Sequence, residues 1–151
     1  MPNILLPIPH QRQRQEADCL AACAAMVLAH LKIRVDYKQL LKLLKTKPFG
    51  TSGQNLKYLT ALGVQVTYRE GSLEEIKGHL LSEVPCIVLV RTADLTYWSY
   101  STDHAVVVTG FDDKIIYVND PAFDTYPISV SVTEFELAWM EFDYRYGTIT
   151  R

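Results

Sequence analysis

The amino-acid sequence predicts an α+β fold in which a helical first half packs on an antiparallel sheet from the second half. In the first half, runs of helix-forming residues lack glycine and proline, above all at residues 18–33. In the second half, short runs rich in β-branched residues are separated by turn residues. Because the helices come first and the strands follow, the order favours an α+β fold over repeated βαβ units.

Length and composition predict a single domain over residues 1–151. The chain is 48% apolar and 21% charged, which is a globular composition. No repeat, low-complexity tract or linker divides it. Residues 1–17 are predicted to form an extended N-terminal arm. Its start, "MPNILLPIPH", contains three prolines and lacks the basic leading segment of a signal peptide.

Charge and cysteine content exclude several function classes. A net charge of -2 and a pI near 6.1 give no electrostatic basis for binding nucleic acid or an anionic membrane. No apolar run reaches the roughly 18 to 20 residues that a membrane span needs. Three cysteines are an odd number and do not suggest a disulfide framework. We therefore expect a cytoplasmic protein in a reducing environment.

Four helices are predicted in the first half. The first is apolar nearly all round from Asp18 to about Ile33, which is typical of a buried central helix. The others are an amphipathic surface helix at 36–45, a helix at 53–62 that stops at Gly63, and a helix opened by a capping box of Ser72 and Glu75.

The second half is predicted to be mostly strands. Three β-branched runs lie at 84–91, 104–111 and 114–120, with Asp112-Asp113 as the hairpin turn between the last two. Thr133 with Glu136 suggests a short helix, "TEFELAWM", and "YRYGTIT" is predicted as a closing strand.

Two cysteines lie one helical turn apart at the start of the first helix. Asp18 is a good N-cap residue, which places Cys19 at the first helical position. There the free backbone N–H groups and the helix dipole favour a thiolate, the reactive form of cysteine. Cys23 and Cys86 lie within apolar runs and are expected to pack in the core.

A thiol nucleophile needs a histidine that holds its proton and a third group that orients the histidine. His10 lies in the arm, and His30 and His79 fall within predicted helices. His104 instead begins a strand directly after the polar "STD". Asp120 ends the next strand sixteen residues later. A hairpin would bring these last two residues together, although Asp120-Pro121 alone could be an ordinary turn.

Acyl transfer also needs hydrogen-bond donors for the developing oxyanion. The backbone N–H of Cys19 is one candidate donor. A glutamine amide from the arm is a second, and Gln13 lies six residues before the cysteine. Gln11 and Gln15 are the alternatives, and "QRQRQ" is equally compatible with a solvated tail.

These residues together resemble the cysteine peptidase domain that processes double-glycine leader peptides. The resemblance is carried by Gln13, "DC" at 18–19, "AAM", "HAVVVTGF" and "VNDP", and it extends from about residue 10 to 149. That family belongs to the papain superfamily and usually forms the N-terminal domain of bacteriocin-exporting ABC transporters. The resemblance implies a papain-like fold, with Gln13 in the oxyanion hole, Cys19 as nucleophile, His104 as general base and acid, and Asp120 orienting the histidine.

The sequence departs from the family pattern in two places. Leu20 follows the nucleophile where the family usually has glycine, and we expect this side chain to narrow the substrate cleft. Nothing resembling a membrane region or a "GxxxxGK[ST]" nucleotide-binding loop follows the domain. We therefore expect a stand-alone form whose partners are a peptide or protein substrate and a separate transporter or regulatory protein.

Two segments allow more than one interpretation. Tyr97, Trp98 and Tyr100 in "LTYWSY" form either a lip of the substrate cleft or a hydrophobic loop that covers the sheet edge. "CLAAC" spaces two cysteines like metal ligands, but a zinc site needs two further ligands that the sequence does not offer, so no cofactor is expected.

The sequence therefore predicts a cysteine endopeptidase that cleaves through a thioester after small residues such as a double glycine. The alternatives are a transferase that uses the same acyl-enzyme, and a catalytically idle or partner-activated domain that binds a peptide.

Overall fold

Within residues 3–151, which the computed structural model describes, the chain forms seven strands and four α-helices. In chain order these are β1 (Ile4–Leu5), α1 (Cys19–His30), α2 (Tyr37–Leu43), β2 (Gln65–Glu70), α3 (Leu73–Leu81), β3 (Cys86–Arg91), β4 (Asp103–Phe111), β5 (Ile115–Asn119), β6 (Ile128–Ser131), α4 (Val132–Met140) and β7 (Arg145–Thr150). Short 3₁₀ segments lie at Glu16–Asp18, Gly53–Leu62 and Thr92–Asp94. The predicted α+β class is confirmed.

All strands belong to one antiparallel sheet. Its order is β2-β7-β3-β4-β5-β6, and β1 pairs with β4 beside this path. The strand β4 therefore has partners on both sides, β3 and β5. The hairpin of β4 and β5 turns at Asp112, as predicted. The backbone N–H of Asp112 donates to the Ile115 carbonyl at 2.9 Å.

The core packs the sheet against α1, and buried residues of α3 and α4 also belong to it. Helix α1 packs across β4, and its residues from Leu20 to Ala24 are at most 1% exposed. An α-helix that is apolar all round has no face suited to water, so it must be covered on every side. Cys23 and Cys86 are both fully buried, as expected. Among the helices of residues 3–151, none has the length and apolar content needed to cross a bilayer.

Several element predictions need correction. The first helix ends at His30 rather than near Ile33, and the segment Gly53–Leu62 is a 3₁₀ helix rather than an α-helix. Gly63 does end it, in the left-handed conformation at φ +84°. That conformation costs a glycine little because it has no β-carbon.

The cap of α4 was assigned to the wrong residues. Ser131, not Thr133, is the N-cap, and its hydroxyl accepts from the backbone N–H of Glu134 at 3.2 Å. The same serine donates to a carboxylate oxygen of Glu134 at 3.1 Å. For α3 the predicted cap is confirmed, since the Ser72 hydroxyl accepts from the Glu75 N–H.

Three strands were not predicted at all: β1, β2 and β6. Strand β1 has two residues, and β6 has four that lead directly into α4. Strand β2, "QVTYRE", has no fully buried residue because it lies at the edge of the sheet. Such short or polar strands are formed by pairing with distant residues, which local sequence patterns do not show.

Candidate active site

Cys19 is the first residue of α1, at the point where the 3₁₀ turn Glu16–Asp18 ends. Asp18 occupies the N-cap position, but its side chain makes no capping hydrogen bond to the helix. Its buried carboxylate instead accepts from the Gln15 N–H and the Tyr37 hydroxyl, both at 3.2 Å. The predicted N-cap position of Asp18 and the start of the helix at Cys19 are confirmed, although the Asp18 carboxylate does not bind the first N–H groups of the helix.

His104 and Asp120 form a buried pair. The Nε2–H of His104 donates to Asp120 Oδ1 at 2.6 Å, and the two side chains are 3% and 0% exposed. The register of the hairpin explains the contact, since Val107 pairs with Asn119. Asp120 then follows opposite Val106, which is a diagonal neighbour position of His104 on the same face.

Cys19 and His104 line the same cleft. Burial by itself lowers the pKa of His104, but hydrogen bonds to Asp120 and Cys19, together with their charges, outweigh it and raise the pKa to about 9. Because Nε2 binds Asp120, Nδ1 is the ring nitrogen left for the thiol. His104 is therefore bound to Asp120 and lies on the cleft that Cys19 also lines.

Asp120 is held by donors besides the histidine. The Tyr97 hydroxyl and the Trp98 Nε1–H donate to its Oδ2 at 2.6 and 3.0 Å. The Ala122 N–H donates to Oδ1 at 2.9 Å. Burial raises the pKa of this carboxyl, but the hydrogen bonds and the charge of His104 outweigh it, so the pKa lies below its ordinary value. Asp120 is therefore a carboxylate, which accepts from all four donors.

A cleft of about 840 Å³ opens beside Cys19 and His104. Leu20 is among the residues that line it, although this side chain is only 1% exposed, and its predicted contact with substrate stays a prediction. The opposite wall is the loop 48–54, in which Phe49 is 90% exposed. A cleft of this volume suits a small ligand or a short peptide segment.

The aromatic segment 95–100 lies elsewhere. Among the described residues that line the cleft, Tyr97, Trp98 and Tyr100 do not occur. Tyr97 and Trp98 bind Asp120, and Tyr100 is half exposed with its ring 5.3 Å from that of Trp98. A substrate contact for these residues remains a prediction, and the contacts present favour a supporting role.

Gln13 is tied to its own arm. Its Nε2 donates to the backbone oxygens of Gln15 and Glu16 at 3.1 and 3.3 Å. Its Oε1 is buried and has no hydrogen-bond partner within residues 3–151. The Gln13 N–H donates to the Pro121 carbonyl at 2.9 Å, which joins the arm to the loop after Asp120. The predicted oxyanion role of Gln13 stays a prediction.

The other cysteines and histidines lie outside the site or behind it. Burial, with the charges of Cys19 and Asp120, raises the pKa of Cys23 well above its ordinary value. Burial raises the pKa of Cys86 to about 12. His79 contacts the Tyr146 hydroxyl at 3.0 Å instead of the thiol. No group of three or more potential metal ligands occurs in the described part of the chain.

Sequence reasoning missed two parts of the site. No role in the site was predicted for the loop 48–54, whose residues line the cleft. An exposed phenylalanine between two turn residues was the available signal. The hydrogen bonds of Tyr97 and Trp98 to Asp120 were also missed, because the pairing of a loop with a distant strand end has no local pattern.

A model of the Peptidase C39-like family matches residues 5–146 of the chain. No curated protein matches its sequence.

Solved structures with the same fold cover nearly the whole chain. A protein described as a C39-like peptidase from Bacillus anthracis has a TM-score of 0.82 at 18% identity, over 98% of this chain and 97% of that one. A double glycine motif protease from an AMS/PCAT transporter, in complex with the leader peptide, has a TM-score of 0.78 at 24% identity, over 98% and 94%. The peptidase domain of Streptococcus ComA, a bifunctional ABC transporter involved in quorum sensing, has a TM-score of 0.75 at 20% identity, over 97% of each chain.

Proposed function

Because this chain belongs to the Peptidase C39-like family, we propose that it is a cysteine peptidase that cleaves a peptide bond through a thioester on Cys19. One observation carries the proposal. A partly exposed cysteine at a helix N-terminus shares an open cleft with a histidine that is bound to a buried carboxylate. These are the parts that nucleophilic catalysis by a thiol requires.

In the first half of the reaction, His104 takes the proton of the Cys19 thiol and the sulfur attacks the carbonyl carbon of the scissile bond. The carbonyl oxygen becomes an oxyanion, for which the Cys19 backbone N–H is the proposed donor. When the intermediate collapses, the C–N bond breaks and His104 gives its proton to the leaving amine. The acyl part of the substrate remains on the sulfur as a thioester.

In the second half, water attacks the thioester. His104 takes a proton from the water, the C–S bond breaks, and the acyl part leaves as a carboxylic acid while the thiol is regenerated. Asp120 holds the histidine in the orientation that directs Nδ1 toward the sulfur and stabilises the imidazolium. In the first half His104 therefore carries a proton from the thiol to the leaving amine. In the second half it carries a proton from the water to the sulfur.

Gln13 is proposed as the second oxyanion donor. Its amide has to leave the carbonyls of Gln15 and Glu16 to reach the cleft, which a change of side-chain rotamer can achieve. The unpartnered Oε1 makes the present rotamer less favourable, since a buried polar atom without a hydrogen bond costs free energy. Binding of a substrate carbonyl would then favour the rotated state.

We propose a leader or precursor peptide as substrate, cut after small residues such as a double glycine. Leu20, which follows the nucleophile in the sequence, lines the cleft and is proposed to favour small residues on the acyl side. Extended peptides are expected to be cleaved far better than dipeptides, because remote contacts supply binding energy that orients the scissile bond. The whole of residues 1–151 is proposed to act as one cytoplasmic domain, with a separate transporter or regulatory protein as partner.

The test is incubation with a leader-type peptide that carries an internal Gly-Gly, followed by mass spectrometry of the fragments. We expect a single cut after the second glycine for the native protein and none for Cys19→Ala. The matched control is Cys86→Ala, which removes a thiol that is buried in the sheet outside the cleft and should leave the cleavage intact.

Cleavage by Cys19→Ala at the native rate would contradict the thiol mechanism. If the native protein cleaves nothing while iodoacetamide still labels Cys19 rapidly, the peptidase proposal fails. Transfer of the acyl part to an added amine would then identify a transferase. Binding of the peptide without any reaction would identify an idle or partner-activated domain.

A further inference from the structure

The Asp120 carboxylate is fixed by groups that take no part in the proposed proton transfers. One oxygen, Oδ1, accepts from His104 and from the Ala122 N–H. The other oxygen, Oδ2, accepts from the Tyr97 hydroxyl at 2.6 Å and the Trp98 Nε1–H at 3.0 Å, its two donors within residues 3–151. Since two donors bind Oδ2, the carboxylate cannot rotate without breaking both bonds, and Oδ1 stays directed at the histidine.

The segment that carries the two aromatic residues is itself anchored. The buried Thr92 hydroxyl donates to the Tyr100 carbonyl at 2.7 Å and accepts from the Thr102 N–H at 2.8 Å. On its other side, the Thr96 N–H donates to Glu134 of α4 at 2.8 Å. The segment is therefore held in place from both sides. This fixes Tyr97 and Trp98 relative to Asp120.

Trp98 also covers the bond between His104 and Asp120. Its ring lies edge-on against the imidazole, with centroids 4.7 Å apart and planes at 62°. Phe123 packs against both aromatic residues, 5.2 Å from Tyr97 and 5.3 Å from Trp98. An apolar cover keeps water from competing for the hydrogen bond and so strengthens it.

We propose that Tyr97 and Trp98 are positioning residues that orient and stabilise the Asp120 carboxylate, and through it the histidine that serves the Cys19 thiol. The inference rests on the proposed function and deepens it, since it assigns to the segment 95–100 a role behind the histidine instead of at the substrate. Neither residue lines the cleft, although both lie within hydrogen-bond distance of Asp120.

Loss of a donor to Asp120 should change the pH dependence of the reactivity of Cys19. Donors to a carboxylate favour its ionised form, so removal of one raises the pKa of Asp120. The titratable groups around this carboxylate are His104 on β4, Tyr97 in the segment, and Cys19 and Cys23 on α1. When Asp120 gains its proton at a higher pH, the histidine loses its partner at that pH, and the thiol loses reactivity there.

The experiment compares Tyr97→Phe and Trp98→Phe with the native protein. Both changes keep an aromatic ring and remove one donor to Oδ2. Tyr117→Phe is the matched control, because the Tyr117 hydroxyl donates to a carboxylate oxygen of Asp112 at 3.1 Å in the hairpin turn away from the cleft. The readouts are kcat and KM for peptide cleavage and the pH profile of Cys19 alkylation by iodoacetamide.

We expect each of the two variants to lower kcat about tenfold, the loss that one hydrogen bond to a charged group represents, with KM unchanged. The acidic limb of the Cys19 alkylation profile should move to higher pH in both. Tyr117→Phe should match the native protein in all three readouts.

A raised KM with an unchanged kcat and an unmoved alkylation profile would overturn the proposal and assign the segment to the substrate cleft. Alkylation profiles identical to that of the native protein in both variants would also overturn it. If the native protein cleaves no peptide, the pH profile of Cys19 alkylation still shows whether Tyr97 and Trp98 position Asp120. Failure of the proposed function and failure of this inference are therefore distinguishable. If Tyr97→Phe does not fold, Trp98→Phe tests the same oxygen.

Discussion

At the scale of single residues, the site is organised by buried hydrogen bonds. Asp120 is fully buried yet ionised because four donors replace the water it has lost. His104 is buried as well, and its pKa is raised because the carboxylate and the thiol outweigh the desolvation of its charge. The hydrogen bonds of Asp120 and His104 therefore set both the geometry and the charge of the site.

The pH dependence of stability follows from the histidine. Its pKa rises from 6.5 to about 9 on folding, so the stabilisation is fully present below pH 6.5 and is lost as the pH rises through 9. With about 1.4 kcal/mol per pKa unit, the free energy of unfolding should fall by roughly 3 kcal/mol over this window. Urea unfolding at pH 6 and pH 9.5 measures the change. In His104→Gln the fall should be much smaller, and an equal fall would contradict the assignment.

The oxyanion assignment is tested at Gln13. Replacement by alanine is predicted to lower turnover by roughly 10² to 10³, because one of the donors to the developing charge is lost. Iodoacetamide should still label Cys19 at the native rate. Gln11→Ala is the matched control, since its amide donates to the neighbouring Arg12 carbonyl. A silent Gln13→Ala together with a large loss for Gln15→Ala would show that the assigned position is two residues too early.

At the scale of elements, the sequence predicted those that depend on local patterns and missed those that depend on pairing. The buried helix α1 and the hairpin of β4 and β5 follow from runs of apolar residues and a turn, and both are present. Strand β2 is polar and has no such pattern. Its ladder with β7, from Gln65 opposite Thr150 to Glu70 opposite Arg145, depends on residues far along the chain.

The cap of α4 gives a direct comparison between the two candidate residues. Ser131→Ala should lower the free energy of unfolding by about 1 kcal/mol, because the Glu134 N–H loses its acceptor. Thr133 is exposed within the first turn, and its replacement by alanine should change stability by less than about 0.5 kcal/mol. Chemical denaturation of both variants measures the difference, and a larger loss for Thr133→Ala would restore the cap that the sequence suggested.

At the scale of the whole molecule, the N-terminal arm joins the sheet to the site. Asn119 Nδ2 donates to the Ile8 carbonyl at 3.1 Å, and His10 contacts the Phe123 carbonyl through Nε2 at 2.6 Å. The order of cysteine, histidine and aspartate along the chain could be identified from the sequence, and the hairpin predicted one of their contacts. The path of the arm could not, because it is set by hydrogen bonds between side chains and backbone carbonyls more than 100 positions apart.

Attachment of the arm is predicted to depend on Gly110. A β-carbon there would lie 2.3 Å from the Ile4 carbonyl oxygen, so alanine must push β1 away from β4. Gly110→Ala should cost about 1 to 3 kcal/mol of stability and increase hydrogen exchange at the Leu6 N–H, which donates to Thr109.

Gly78→Ala is the control for this change. It lies in α3 with nothing within 4 Å of the added carbon, and it should stabilise the helix by up to about 1 kcal/mol. Equal exchange at Leu6 in Gly110→Ala and the native protein would contradict the proposed attachment.

The most direct test of the central claim is detection of the thioester on Cys19. The native protein is mixed with a leader-type peptide that carries an internal Gly-Gly, quenched in acid within the first turnover, and analysed by intact-mass and peptide-mapping spectrometry. We predict an added mass equal to the acyl fragment on the peptide that contains Cys19, and no such adduct in Cys19→Ala. Peptide fragments that accumulate without any adduct, and at the same rate in Cys19→Ala, would contradict the account.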